Sequence, residues 1–153
     1  MARLKTSLAE SSGGVVVRGD SSELEIVLVG RKEKTTWALP KGTPRVGETR
    51  DQTALRETRE ETGLEARILE PLDSITYWFM LARTRVRKTV YYFLMEAVGG
   101  DPSLHDPEYD FVQWFPIDAA LAVMSYPNEV EMVRRARDRV ARRLAVSRQL
   151  GPR

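Results

Sequence analysis

Apolar positions along the chain change their spacing several times, and each change marks an element. Gly13-Gly14 opens a short β-branched run, Val15–Arg18, that predicts a strand. A turn signal at Gly19-Asp20-Ser21-Ser22 follows, and Glu23–Gly30 (ELEIVLVG) predicts the partner strand of a hairpin. Trp37-Ala38-Leu39 reads as a short strand stopped by Pro40. Residues 40–48 hold two prolines and two glycines and read as a loop. Residues 49–62 predict a helix, since Thr49 with Gln52 fits a capping box and Gly63 followed by Leu64 fits a glycine stop. Segments 66–81 and 89–97 read as strands, with the basic stretch Arg83–Lys88 joining them and a polar loop over 98–107. Phe111–Phe115 predicts a further strand and Ile117–Met124 a short helix. Over residues 128–148, Val133, Ala136, Val140 and Leu144 fall on one face of a long helix. Strands and helices intermix without a regular βαβ rhythm, which predicts an α/β fold with a mixed sheet flanked by helices.

The length of 153 residues suits one domain, taken as 1–153. The absence of cysteine excludes disulfides, thiolate metal sites and thiol catalysis, and a single histidine, His105, excludes a multi-histidine metal site within one chain. A net charge of +2 does not suggest a nucleic-acid coat protein. No apolar run approaches the roughly 18 residues of a membrane span, and the N-terminus has no signal-like apolar run. A soluble cytoplasmic protein is expected, with no membrane or nucleic-acid partner, as a monomer or homodimer.

Residues 42–64 change the picture. Gly42 is followed after five residues by Glu48, and after seven more by Arg56-Glu57-Thr58-Arg59-Glu60-Glu61-Thr62-Gly63-Leu64. On a helix, Glu57, Glu60 and Glu61 stand at i, i+3 and i+4 and share a face. Three carboxylates there repel one another by a few tenths of a kcal/mol per pair, at about the scale of exposed helix pairs. A bound hard cation would remove the conflict. Arg56, expected to point elsewhere, could pair with Glu48 and tie the loop to the helix. Seven fixed identities at set spacings arise by chance on the order of one time in 10⁵ or more rarely over all starting points of the chain, so a plain solvated acidic face is the weaker explanation.

These residues resemble the box GX5EX7REUXEEXGU of the Nudix hydrolases, where U is aliphatic. Thr58 departs from it, with a small packing effect expected. The resemblance extends to Ser12-Gly13-Gly14-Val15-Val16, Trp37-Ala38-Leu39-Pro40-Lys41 and Trp114-Phe115, over roughly residues 12–125. It implies an α/β/α sandwich around a mixed sheet. It also implies hydrolysis of a nucleoside diphosphate linkage by water attack on phosphorus, with Mg²⁺ or Mn²⁺. Carried over by position, Glu57 and Glu61 are metal ligands, Glu60 a ligand or holder of metal-bound water, and the Gly42 carbonyl a further ligand. Glu48 would orient Arg56 or bind a further ion. The general base would be a box glutamate or a later one such as Glu108, which otherwise is an ordinary loop carboxylate; His105 is read as a solvated loop residue.

The substrate is less legible. The run Leu39-Pro40-Lys41-Gly42 resembles the branch that cleaves diadenosine or diphosphoinositol polyphosphates. Lys41 would then meet a phosphate, or else be a solvated loop lysine. Arg83, Arg85, Arg87 and Lys88 suit a polyphosphate or simply protect a strand edge. Tyr77 would stack a base, although its spacing from the box is short and packing suits at least one of Tyr77 and Trp78. Arg31 would reach phosphates or cap the second strand. Residues 128–153 carry eight arginines against three acids, hence +5, leaving −3 for the rest. That helix is expected to pack on the domain with its arginines in water, not to bind nucleic acid or membrane. The alternatives to a diadenosine polyphosphate hydrolase are a (d)NTP-cleaning enzyme, an RNA 5′-pyrophosphohydrolase, and a Nudix-like module that binds a nucleotide without cleaving it.

Overall fold

In the computed structural model, which describes residues 3–20, 22–33 and 35–150, one sheet carries the molecule. Its strands are β1 (Lys5–Arg18), β2 (Glu25–Arg31), β3 (Thr36–Ala38), β4 (Lys41–Gly42), β5 (Leu64–Leu81), β6 (Thr84–Gly100) and β7 (Phe111–Pro116). The helices are α1 (Arg50–Thr62), α2 (Ile117–Val123) and α3 (Pro127–Leu150), with a short 3₁₀ turn at Pro102–Leu104. The strand order is β3-β2-β1-β6-β5, with β4 against β1 and β7 against β2. Among the described residues only β1 and β6 run parallel, from Lys5 beside Thr84 to Val17 beside Glu96. The sheet is therefore mixed, as the irregular order of strands and helices implied.

Each face has its own core. On one face Val16, Val27, Phe93 and Met95 pack against Ala54 and Leu55 of α1. On the other, Val15, Leu28, Val90, Tyr92 and Leu94 pack against Met132, Val133, Ala136 and Val140 of α3, with Leu144 at the margin. Helices thus cover both sides, giving an α/β/α sandwich. The apolar stripe of α3 lies on the sheet, and several of its arginines pair with acids. Arg139 and Arg143 hold Glu70 at 2.7 and 2.9 Å, and Arg137 holds Asp118 at 3.0 Å. No helix among the described residues is long and apolar enough to cross a membrane.

The ends of α1 follow their local signals. Thr49 accepts from the Gln52 N–H while the Gln52 side chain accepts from the Thr49 N–H, and Gly63 closes the helix at φ 75°. At Thr58 the hydroxyl is buried, 3.7 Å from the Met95 sulfur. Gly14 leaves that space open, because a Cβ there would overlap Met95.

Several boundaries differ from expectation. The first strand begins at Lys5, ten residues before Val15, because pairing with β6 extends it through the polar segment 5–12. Arg83–Lys88 is not a connecting segment. The reversal takes place at Ala82-Arg83, both at positive φ, and Arg85, Arg87 and Lys88 lie on β6. The stretch 98–107 is strand as far as Gly100 before it turns. In these cases strand pairing overrides a polar local sequence. Of the first turn signal, Ser21 lies outside the described residues.

Candidate active site

Two hydrogen-bonded systems build the site, one around Arg56 and one around Glu61. Arg56, only 8% exposed, is anchored in the second turn of α1. Its Nε donates to Glu48 at 2.6 Å, Nη1 to Glu57 at 2.7 Å and to Glu60 at 3.0 Å, and Nη2 to Glu48 at 2.9 Å and the Thr43 carbonyl at 3.0 Å. Five hydrogen bonds thus engage all three guanidinium nitrogens at once, so a planar fork is the residue type that fits. This corrects the expectation that Arg56 points away from the carboxylates: it sits among them, and also ties the loop to the helix. Glu48 is held down to about 2, first by Arg56, then by the Arg45 N–H. Arg45 reaches Glu60 at 3.0 Å from the loop side.

Glu61 lies deeper, 1% exposed, and its carboxylate accepts from the Lys41 N–H at 3.0 Å. Burial raises its pKa to about 9; that hydrogen bond opposes the shift, and the charges of Glu108 and Glu57 add to it. Burial likewise pushes Glu57 up, against the pull of Arg56. A Cβ on Gly42 would overlap the Glu57 carboxyl, so the box glycine is required by close approach of that side chain. We expect Gly42→Ala to displace Glu57 and lower divalent-cation affinity about 10- to 100-fold, measured by calorimetric titration, with the melting temperature changed little.

Among the described residues, no three acidic or histidine side chains converge on a single point as they stand, because Glu57 and Glu60 turn to Arg56. The donor chemistry nonetheless fits a hard divalent cation. Glu57, Glu60, Glu61 and the Gly42 carbonyl are all oxygen donors, and among the described residues no cationic side chain hydrogen-bonds buried Glu61, although the charge of Lys41 reaches it.

The later loop is fastened to this centre from both sides. The Asp106 N–H donates to the Glu60 carbonyl at 2.7 Å, the Asp101 N–H to the Gly63 carbonyl at 3.0 Å, and the Lys32 N–H to Asp110 at 2.8 Å. Glu108 thereby comes close enough for its charge to act on Glu57 and Glu61. Arg31 does not stand alone at a strand end. It pairs with Glu108 at 3.4 Å and its guanidinium lies 4.5 Å from the Tyr109 ring centre. Tyr109 was missed by sequence reasoning; burial first, then the charge of Glu61, raises it to about 12. His105 hydrogen-bonds neighbouring backbone, at the Asp106 carbonyl and the Pro102 carbonyl.

Beside Lys41 opens a cavity of about 410 Å³ lined by Ile75, Tyr77, Val90, Tyr92, Tyr126, Pro127, Asn128 and Glu129. Tyr77 and Lys88 face each other across β5 and β6, and the charge of Lys41 reaches Lys88. Arg87, one residue away, points to the opposite face of the sheet, where its cross-strand neighbour is Trp78. Of the two basic strand residues proposed for the substrate, the structure brings only Lys88 to the cavity side. Tyr92, Tyr126, Asn128 and Glu129 were not foreseen. Three of them stand in a strand core or at the start of a helix, where local sequence reads as packing.

A mixed sheet between helices, with a glutamate-bearing loop and helix at one end, defines the class. The NUDIX domain family matches residues 10–136, and the chain belongs to the Nudix hydrolases. Among curated relatives, MutT4 of Mycobacterium tuberculosis is 38% identical over 133 residues, covering 83% of this chain and 54% of the relative. An 8-oxo-(d)GTP phosphatase of Mycolicibacterium smegmatis is 35% identical, covering 83% of this chain and 37% of the relative. The asymmetrical bis(5′-nucleosyl)-tetraphosphatase of Rattus norvegicus is 30% identical, covering 73% and 78%. The chain thus spans about half the length of the first relative and about a third of the second. A binary complex of the Caenorhabditis elegans Ap4A hydrolase superposes with a TM-score of 0.69 at 22% identity, covering 87% of this chain and 98% of that one, which supports the fold.

Proposed function

We infer that the protein is a divalent-cation-dependent pyrophosphohydrolase of nucleoside polyphosphates, a class that includes nucleoside triphosphates and dinucleoside polyphosphates. The observation that carries this reading is the junction at Lys41. Its backbone N–H holds Glu61, while its side of the loop opens onto the tyrosine-lined cavity. Such a cavity suits a flat aromatic base, which stacks on tyrosine. The carboxylate cluster at its edge suits the phosphates only once a cation is present.

Glu57, Glu60, Glu61 and the Gly42 carbonyl would hold Mg²⁺ or Mn²⁺. When bound, the metal supplies charge neutralisation and a polarised phosphate oxygen. Lys41 and Lys88 add positive charge along the path from the cavity to the box. Glu108, joined to Arg31 and near enough for its charge to act on Glu57 and Glu61, would take a proton from the attacking water. Arg31 and Tyr109 keep that carboxylate on the site side of the loop. The buried acid favours catalysis over simple retention: a binding module has no need for a carboxylate that burial raises so far, set beside two others.

The test is a panel of nucleoside triphosphates, dinucleoside polyphosphates and 5′-triphosphorylated RNA, assayed with Mg²⁺ and with Mn²⁺ in ¹⁸O-water. Products identified by mass should show cleavage of one phosphoanhydride, with label on one product phosphate. Tight nucleotide binding with no turnover in either metal would show a binding module instead.

A further inference from the structure

Both cores stop short of the turn that joins β5 to β6. The last residues they include on those strands are Tyr77 and Val90. Beyond them, residues 5–8 of β1, 84–87 of β6 and 78–81 of β5 lie side by side as a three-stranded tip. Its large apolar side chains face water: Leu8 is 77% exposed, Leu81 63%, Met80 53%, Trp78 49% and Phe79 37%. Single exposed apolar residues are ordinary, but five gathered on one tip mark a docking surface. Strand alternation divides them between both faces. Leu8, Arg87 and Trp78 form one cross-strand row and Thr6, Arg85 and Met80 the next, on one face. Phe79 beside Val86, and Leu81 beside Thr84 and Lys5, stand on the other. The charge of the tip has one sign. Arg3, Lys5, Arg83, Arg85 and Arg87 are all exposed, and residues 3–9 and 78–87 contain no acid. The Arg85 guanidinium lies over the Trp78 ring, 4.6 Å from its centre.

We propose that this tip settles into the surface of an anionic lipid bilayer. Trp78, Phe79, Met80 and Leu81 enter the headgroup region, and the cations around them meet lipid phosphates. The contact is with the surface and spans nothing. It goes beyond the hydrolase reading and does not depend on it. Three features of the tip favour this partner. Apolar groups stand on both faces, and a bilayer receives a wedge from all sides, whereas a protein partner covers one face. The cations complement an anionic surface, whereas a second copy presenting the same tip brings like charge to like charge. Leu8, Met80 and Leu81 have no aromatic face, so a nucleic acid could stack on Trp78 and Phe79 alone. The lengths agree as well. From Trp78 to Leu81 the strand advances roughly 10 Å, about the depth at which interfacial segments lie. Tryptophan is enriched at that level because its ring is apolar and its N–H is not.

The test is sedimentation of the whole chain with vesicles of equal parts phosphatidylglycerol and phosphatidylcholine, against vesicles of phosphatidylcholine alone. Binding to the anionic vesicles should be at least about tenfold tighter and should weaken as salt rises. Tryptophan emission should shift to the blue on binding, and Trp78→Phe should abolish the shift while Trp37 and Trp114 remain. Arg85→Gln combined with Arg87→Gln should lower the affinity roughly 25-fold, about fivefold for each cation removed. Trp78→Ser combined with Leu81→Ser should lower it about tenfold or more. These side chains are exposed, so circular-dichroism melts of both double variants should match wild type. Equal affinity for the two vesicle types, or none for either, would overturn the proposal. So would tighter binding to a single-stranded RNA oligonucleotide that the same variants lose, which would give the tip to nucleic acid. A dimer in sedimentation velocity that Trp78→Ser with Leu81→Ser dissolves would overturn it too, in favour of a second copy.

Discussion

Glu61→Gln should lower phosphoanhydride hydrolysis on the order of 10³-fold and yet leave the fold intact. Glutamine keeps an oxygen for the Lys41 N–H, so the loop that carries Gly42 stays in register with α1. What disappears is the negative charge that a cation needs. The same substitution has a signature in stability without metal. The folded-state pKa of Glu61, about 9, stands above its ordinary value of 4.5, because burial disfavours the charged form. Folded protein therefore binds more protons than unfolded protein between those values. The contribution to stability is fully present below about pH 4.5 and is lost as pH rises toward 9. In EDTA, wild type should lose stability across that window and Glu61→Gln should lose much less. Adding Mg²⁺ or Mn²⁺ should restore the wild type at high pH and do little for the variant. Thermal melts at several pH values, with and without metal, check this. Equal slopes in EDTA would show that Glu61 ionises freely in the folded state.

Arg56→Ala is the substitution with the largest expected effect on stability. It removes five hydrogen bonds at once and takes the cation away from Glu48 and Glu57, whose side chains are only 16% and 13% exposed. Breaking one partner out of a buried charged network costs about 3–5 kcal/mol. The lower end applies here, because Glu60 is about a third exposed and water can reach it. That is still a large share of the roughly 5–15 kcal/mol that holds a domain together. Arg56→Lys should recover only part, since an ammonium is a point charge and cannot span Glu48, Glu57 and the Thr43 carbonyl together. Urea denaturation followed by circular dichroism measures both. A midpoint for Arg56→Ala within error of wild type would mean that solvent screens the whole network.

Glu61 and Arg56 differ in how much of their surroundings the spacing of the box conveys. Both stand in the box, so both were singled out from spacing alone. Their partners were only partly legible. Glu48 pairing with Arg56 follows from a loop that must return to its helix, and the structure shows it. That Arg56 also reaches Glu57 and Glu60 depends on a rotamer, which spacing does not give. The substrate side was less legible still. Lys41 and Tyr77 meet at one cavity, with Lys88 across the strands from Tyr77, but Tyr92, Tyr126 and Glu129 join them from a core strand and the start of α3. Arg87 was grouped with Lys88 because they are neighbours in the chain, and adjacent strand residues face opposite ways.

The sequence by itself determined the local machinery: the capping box at Thr49 and Gln52, the glycine stop at Gly63, the acidic face of α1 and the apolar stripe of α3. These are interactions within one or two turns, so neighbouring residues are sufficient to specify them. It also determined the family, through identities that only a shared site would keep at those spacings. Tertiary structure alone decided that β1 and β6 extend through polar sequence, since each needs the other's backbone groups as partners. It alone buried Glu61 behind Lys41, and it alone brought the first turn of α3 against Leu39 to wall the cavity. Those contacts join residues 20 and 90 positions apart; they exist only once two layers have closed on the same sheet.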